Sequence, residues 1–314
     1  MSINQAMFAA LRAISYADPD VSKNYKLMRE VKALTGRRVL KSPYRTLDQE
    51  ISRCGHPIPV RLFAPGNSFC ETPKGLLLFF HGGGWVTGNI DSYDKVCSAM
   101  AKATGQLVLS VDYRLAPEHK FPAGLEDCYC VAREVFCGCG VPGIGPEQIT
   151  LIGDSAGGNL AAAVSLLARD RGEFLPRRQI LLYPATASDH SETSPFPSVR
   201  SNGTDYLLTS RRVQEYMELY KSSDADVTSP YFAPLLAQDL SRQPKTLIIT
   251  AEYDPLRDEG EAYGRALAGA GVETKIVRLA NAIHGFLTLP PRFVHVKRAY
   301  AQINEFLKQE VKAE

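Results

Sequence analysis

Gly153-Asp154-Ser155-Ala156-Gly157 follows directly on the apolar run Ile149-Thr150-Leu151-Ile152, and the reading of this junction decides the fold. The pattern is G-x-S-x-G between a strand-like and a helix-like stretch, the context in which this pentapeptide signals a nucleophile. A serine hydroxyl is a weak nucleophile that has to be held out toward a base. A sharp strand-to-helix turn does this but crowds the backbone around the serine. Gly153 and Gly157 lack Cβ and relieve the crowding.

On both sides of the junction, continuous apolar runs alternate with helical patterns. Leu76–Phe80, Leu107–Val111, Ile149–Ile152, Ile180–Tyr183, Leu247–Thr250 and Lys275–Leu279 read as strands. Unbroken apolar runs suit strands covered on both faces. Ser92–Thr104, Leu125–Phe136, Gly158–Arg169 and Glu259–Ala270 read as helices, the last ending before Gly271, a fitting C-cap. The alternation predicts an α/β fold with a mostly parallel sheet and helices on both faces. Thr46–Ile51 and Arg61–Phe63 can supply antiparallel edge strands.

Two stretches break the pattern. In the first forty or so residues, Phe8, Leu11, Ile14, Tyr25, Met28, Val31 and Leu34 have amphipathic spacing. From Ala185 to about Leu240 the chain is rich in Ser, Pro and Asp, with one helical piece, Arg211–Tyr220, carrying Val213, Tyr216, Met217 and Tyr220. Both stretches are expected to cover the sheet. The division that follows is 1–45 as the N-terminal part of a cap, 46–184 and 241–314 as the two parts of a core, and 185–240 as a cap insertion.

Three further segments supply chemistry. His81-Gly82-Gly83-Gly84-Trp85 follows the strand Leu76–Phe80. Its glycines let backbone N–H groups converge on one point and, with the N–H of Ala156, stabilise an alkoxide. His81 itself is read as shaping that loop. Asp254 follows the strand Leu247–Thr250, at the strand end where active-site groups of such sheets collect. Glu252 and Asp258 compete with it, but Asp258 falls near the start of the next helix, where the helix dipole favours an acid. His284 lies in the loop after Lys275–Leu279, and His119 is its one rival; His56, His190 and His295 lie near no strand end that would reach the serine. Ser155, Asp254 and His284 run in the chain order nucleophile, acid, base. The gap of 99 residues from serine to acid leaves room for an insertion, and the gap of 30 from acid to base fits one helix and one strand.

These segments resemble the hormone-sensitive-lipase-like esterases, bacterial family IV, of the α/β-hydrolase superfamily. The resemblance is carried by His81–Trp85, Asp112-Tyr113-Arg114-Leu115-Ala116-Pro117-Glu118, Phe121-Pro122-Ala123, Gly153–Gly158, Asp254-Pro255-Leu256 with Asp258, and His284-Gly285-Phe286. It implies an α/β-hydrolase fold with a central sheet of about eight strands and a helical cap. It also implies Ser155 as nucleophile, His284 as base, Asp254 as its orienting acid, an oxyanion hole from the N–H groups of Gly83, Gly84 and Ala156, and no cofactor. The expected activity is hydrolysis of small, short-acyl carboxylic esters. An amidase or dehydratase on the same scaffold remains an alternative. So does a non-catalytic binding protein, although the plant gibberellin receptors, which resemble the same family, have lost the histidine that is present here. Related enzymes often pair through the last strand, here Lys275–Leu279, so a homodimer is also open.

Composition agrees with a soluble globular chain. The 314 residues are 45% hydrophobic and 22% charged, enough for a large core, and a net charge of +2 without a long basic run argues against nucleic acid. No window nears the roughly 18 apolar residues of a membrane span. Arg12 interrupts the short N-terminal apolar stretch, which also lacks a basic flank, so the expected location is cytoplasmic. The odd count of seven cysteines, Cys54, Cys70, Cys97, Cys128, Cys130, Cys137 and Cys139, then predicts reduced thiols. Cys128 and Cys130 fall two apart in a helix and point to opposite sides, which disfavours a shared metal.

Overall fold

The computed structural model describes residues 12, 13, 15, 20–36, 46–52, 55–66, 74–139 and 141–309. Its framework is one eight-stranded sheet made of β1 (Thr46–Ile51), β2 (Ile58–Phe63), β3 (Leu76–Phe80), β4 (Leu107–Val111), β5 (Ile149–Asp154), β6 (Arg178–Leu182), β7 (Lys245–Tyr253) and β8 (Thr274–Ile283). The strand order is β1-β2-β4-β3-β5-β6-β7-β8. β2 runs antiparallel to both neighbours, and every pairing from β4 to β8 is parallel. β3, β4 and β5 are buried at every residue, as their largely apolar sequences require.

The period of two along each strand divides the core between the two faces. Leu76, Leu78 and Phe80 join a layer with Leu125 and Val131 of α3 (Ala123–Glu134) and Leu160 and Val164 of α4 (Ala156–Arg171). Leu77 and Phe79 point the other way, into a layer with Val96 and Met100 of α2 (Asp94–Thr104) and Ile303 and Phe306 of α8 (Val294–Lys308). After β3 the chain crosses to β4 on one side and then returns past β3 to β5 on the other. The C-terminal ends of β3 and β5 therefore flank the crevice at which open α/β sheets bind ligands.

Between β6 and β7 lie α5 (Pro197–Ser201) and α6 (Ser210–Tyr220), and α7 (Arg257–Gly269) follows β7. The helical pattern read at Arg211–Tyr220 is α6, with Val213, Tyr216, Met217 and Tyr220 buried and the Thr209 hydroxyl accepting from the Arg212 N–H at its N-terminus. The N-terminal expectation needs a correction. In α1 (Val21–Gly36), Tyr25 and Met28 pack on the core, but Val31 and Leu34 are 50% and 74% exposed. The inward face is completed by Arg29 and Lys32 instead, because their acceptors lie on the loop that follows β3. Phe8, Leu11 and Ile14 lie outside the described residues.

Cys97, Cys128 and Cys137 are free thiols. Cys130 departs from the expectation of reduced thiols, being disulfide-bonded. No described helix is long and apolar enough to cross a membrane.

Candidate active site

Ser155 sits between β5 and α4 at φ 55° and ψ −120°, a strained conformation for a residue with a side chain. The neighbouring glycines leave no choice. A Cβ on Gly153 would lie 2.1 Å from the Gly157 carbonyl oxygen, and one on Gly157 would lie 2.0 Å from that of Phe80. The Ser155 N–H donates to the Leu182 carbonyl at 2.8 Å, tying the elbow to the end of β6.

Three sequence-distant groups meet at this hydroxyl. His284 Nε2 is 2.9 Å from Ser155 Oγ, and His284 Nδ1 is 2.7 Å from Asp254 Oδ2. The other Asp254 oxygen accepts the Leu256 N–H at 2.9 Å, and the carboxylate is fully buried. An ionised carboxylate only accepts, so the proton of the Nδ1 contact sits on the imidazole and Nε2 faces Ser155 as an acceptor. Asn202 holds the acid's loop by donating to the carbonyls of Glu252 and Asp254. Ser198 Oγ donates to the Pro255 carbonyl, so α5 and the residue after it brace that loop.

The loop after β3 faces the same cavity through Gly83 and Gly84. The Gly83 carbonyl accepts from Val86 N at 3.3 Å, Thr87 N at 2.9 Å and Thr87 Oγ1 at 2.9 Å. A trans peptide sets its N–H opposite its carbonyl. Turning the Gly83 carbonyl into this turn therefore turns the Gly84 N–H away from it. Ala156, the first residue of α4, also lines the cavity, and its N–H has no acceptor within the helix.

Asp154 anchors the loop from the other side. Its Oδ1 accepts the Gly82 N–H at 2.8 Å, and Oδ2 accepts from Tyr93 at 3.0 Å and Tyr183 at 3.3 Å. Burial pushes its carboxyl up to about 6, against the lowering effect of those donors. His81 is fully buried, stacked on Tyr113 at 4.3 Å between centroids. Burial pushes it down to about 4, so it is a neutral ring that shapes the loop, as its sequence position suggested.

The rivals stand elsewhere. Asp258 lies in the first turn of α7 and accepts from Ser198 N, and Glu252 accepts from Asn281 N. His119 is exposed, and His190 is buried against Glu259 at 2.6 Å. His295 contacts the Ala280 carbonyl, and His56 pairs with Asp127.

The cavity in front of Ser155 has a volume of about 310 Å³. Sequence reasoning gave no site role to Lys32, Tyr93 or Tyr216, which line it, or to Tyr183, whose ring packs edge-on against His284. Tyr93 and Tyr183 are 61 and 29 residues from the Asp154 they serve, and no spacing rule connects them. The one available signal for Lys32 was a row of cations three apart, Lys23, Lys26, Arg29 and Lys32, on an amphipathic helix.

Comparison with known proteins places this geometry in a family. Residues 77–288 match a family model described as alpha/beta hydrolase fold. The chain is 36% identical over 267 residues to an arylesterase of Saccharolobus solfataricus, covering 84% of this chain and 85% of that protein. It is 34% identical over 259 residues to an ethyl acetate hydrolase of Pseudomonas putida, covering 82% and 80%. The structure of a hyperthermophilic esterase from Pyrobaculum calidifontis superimposes with a TM-score of 0.84 at 36% identity, covering 98% of both chains. The matched span holds the serine junction and all of the segments that resemble the hormone-sensitive-lipase-like esterases, and the chain belongs to the alpha/beta-hydrolase-fold family as a carboxylic ester hydrolase.

Proposed function

We propose that the chain hydrolyses small carboxylic esters with short acyl groups through Ser155, His284 and Asp254. The observation that carries the reading is the continuous relay from Asp254 Oδ2 through both His284 nitrogens to Ser155 Oγ, at 2.7 Å and 2.9 Å. In this scheme His284 takes the Ser155 proton as the oxygen attacks the ester carbonyl. The carbonyl oxygen gains a full charge, which the N–H groups of Gly83, Gly84 and Ala156 are proposed to stabilise. The C–O bond to the alcohol breaks, His284 returns the proton to the leaving oxygen, and water repeats the sequence on the acyl-enzyme. Asp254 holds the imidazole in its reactive tautomer and balances its charge in the transition state.

The short-acyl preference is supported by the cavity volume of about 310 Å³, at the small end for ligand sites. It is also supported by the walls. Met28 and Lys32 of α1 and Leu207, Leu208, Arg212, Val213 and Tyr216 from the stretch 185–240 line the cavity with Ser155, which is consistent with the two stretches serving as a cap.

The test is hydrolysis of p-nitrophenyl esters from acetate to palmitate by wild type and Ser155→Ala. The expected result is a maximum at the short end, with the variant down on the order of a million-fold. A rate in the variant near wild type removes Ser155 from the mechanism. A maximum at the long end overturns the size preference.

A further inference from the structure

Lys32 brings a positive charge into a cavity otherwise walled mainly by apolar side chains. It lines the same space as Ser155 and His284, with Met28, Leu207, Leu208 and Val213 around it. Its Nζ donates to Thr87 Oγ1 at 2.8 Å. The Thr87 hydroxyl spends its own proton on the Gly83 carbonyl, so it can only accept from Lys32. An ammonium has three donors, and this contact uses one.

The lysine's surroundings contrast with those of several other cations of the chain. Arg29, one turn earlier on α1, is paired with Glu118, and Lys221, Lys245 and Lys275 each have a carboxylate partner. Among the described residues no carboxylate stands within ion-pairing distance of Lys32. The acid that shares its cavity is Asp154, whose oxygens are occupied by Gly82, Tyr93 and Tyr183. Burial lowers the Lys32 pKa, and the Asp154 charge opposes the shift. Arg212 of α6 lines the same cavity. An ammonium withdrawn from water without a counter-ion is costly. Aimed into a substrate cavity, it is a site for a negative charge that arrives with the substrate.

We propose that the cavity takes esters carrying a second, ionised carboxylate, such as half-esters of short dicarboxylic acids, and that Lys32 binds that carboxylate while Ser155 attacks the ester; the assignment rests on the Ser155 reading above. Lys32 is then a specificity-determining residue, contributing by charge and reach.

The experiment compares monomethyl glutarate with its neutral amide counterpart, methyl 4-carbamoylbutanoate, by pH-stat at neutral pH, for wild type, Lys32→Met and Lys32→Arg. Wild type is expected to favour the anion by about tenfold in kcat/KM, carried mainly by KM. Lys32→Met is expected to erase that ratio and Lys32→Arg to keep most of it. A lysine that only tethers α1 to Thr87 would leave the ratio where it was, and that result overturns the proposal. So does a wild-type ratio near one. If Lys32→Met fails to fold, inhibition of neutral-ester hydrolysis by glutarate against glutaramide in wild type decides: stronger inhibition by glutarate supports the proposal, and equal inhibition overturns it. Ser155→Ala on the neutral ester separates the two readings. Activity surviving there sinks the serine mechanism, whereas activity lost there with no anion preference in wild type sinks this proposal alone.

Discussion

Gly84 holds φ 63° directly beneath the ring of Tyr216, and a Cβ built on it would lie 2.3 Å from Tyr216 Cγ. Any side chain there has to displace either a buried aromatic or the peptide itself. The peptide is the softer of the two, because Tyr216 is packed between α6 and the core. Gly84→Ala is therefore expected to rotate the Gly83–Gly84 peptide and swing its N–H off the developing oxyanion. The expected loss is about 10²–10³ in kcat, the cost of removing one such donor, with KM little changed and the far-ultraviolet circular dichroism retained. Activity within threefold of wild type would take the Gly84 N–H out of the oxyanion hole. The residue scale also shows where sequence reading succeeds. Ser155, Gly153 and Gly157 were legible because their demands are local, a strained turn with no room for Cβ. The partners of Asp154 were not, because Tyr93 and Tyr183 reach it only through tertiary packing.

At the scale of elements, α1 is fastened to the active-site loop by charge rather than by its apolar stripe. Arg29 Nε donates to the Val86 carbonyl at 2.7 Å, Nη2 to the Ala116 carbonyl at 2.7 Å, and the guanidinium also pairs with Glu118. Val86 lies two residues beyond Gly84, so the helix position is coupled to the loop. The amphipathic count read Val31 and Leu34 as inward, but polar acceptors at the docking surface turned the helix so that Arg29 and Lys32 face in. Hydrophobic periodicity carries no information about where backbone carbonyls need donors. Arg29→Met keeps the aliphatic stem and removes the donors. It should cost about 1.5–3 kcal/mol in urea unfolding, the range for hydrogen bonds from a charged group, and raise KM as α1 loosens over the cavity. Unchanged stability together with unchanged KM would show that α1 is held by apolar contact alone.

At the scale of the whole molecule, the centre of the sheet was legible because β3, β4 and β5 are buried at every residue and so read as nearly continuous apolar runs. The connections between the sheet and stretch 185–240 were not legible, because they are made by buried polar groups whose partners lie far along the chain. One of these is His190 with Glu259, 69 residues apart and both fully buried. Glu259 Oε2 meets His190 Nε2 at 2.6 Å, while Oε1 accepts the N–H groups of Thr186 and Ala187 at 2.7 Å and 3.1 Å. The pair thus pins the start of the stretch to α7. Burial alone would depress the His190 pKa, but the Glu259 charge and hydrogen bond, with smaller effects from Asp189 and Asp254, outweigh it and leave the pKa above its ordinary 6.5. A folded-state value above the unfolded one means that the folded protein holds the proton more tightly. Its contribution is complete below about pH 6.5 and is lost as pH rises through the raised value. His190→Gln can still donate to Glu259 but cannot carry the charge. At pH 6 it should be less stable than wild type by about 1.5–3 kcal/mol, the worth of a charge-assisted hydrogen bond. Between pH 6 and pH 9 that gap should narrow, because wild type alone loses the imidazolium, while Asp154 and every other titrating group are common to both proteins. Chemical denaturation of the two proteins across this range measures it directly. A gap that stays constant or widens with pH would mean that His190 is held neutral at pH 6 and that stretch 185–240 is joined to the core by packing rather than by a buried charge pair.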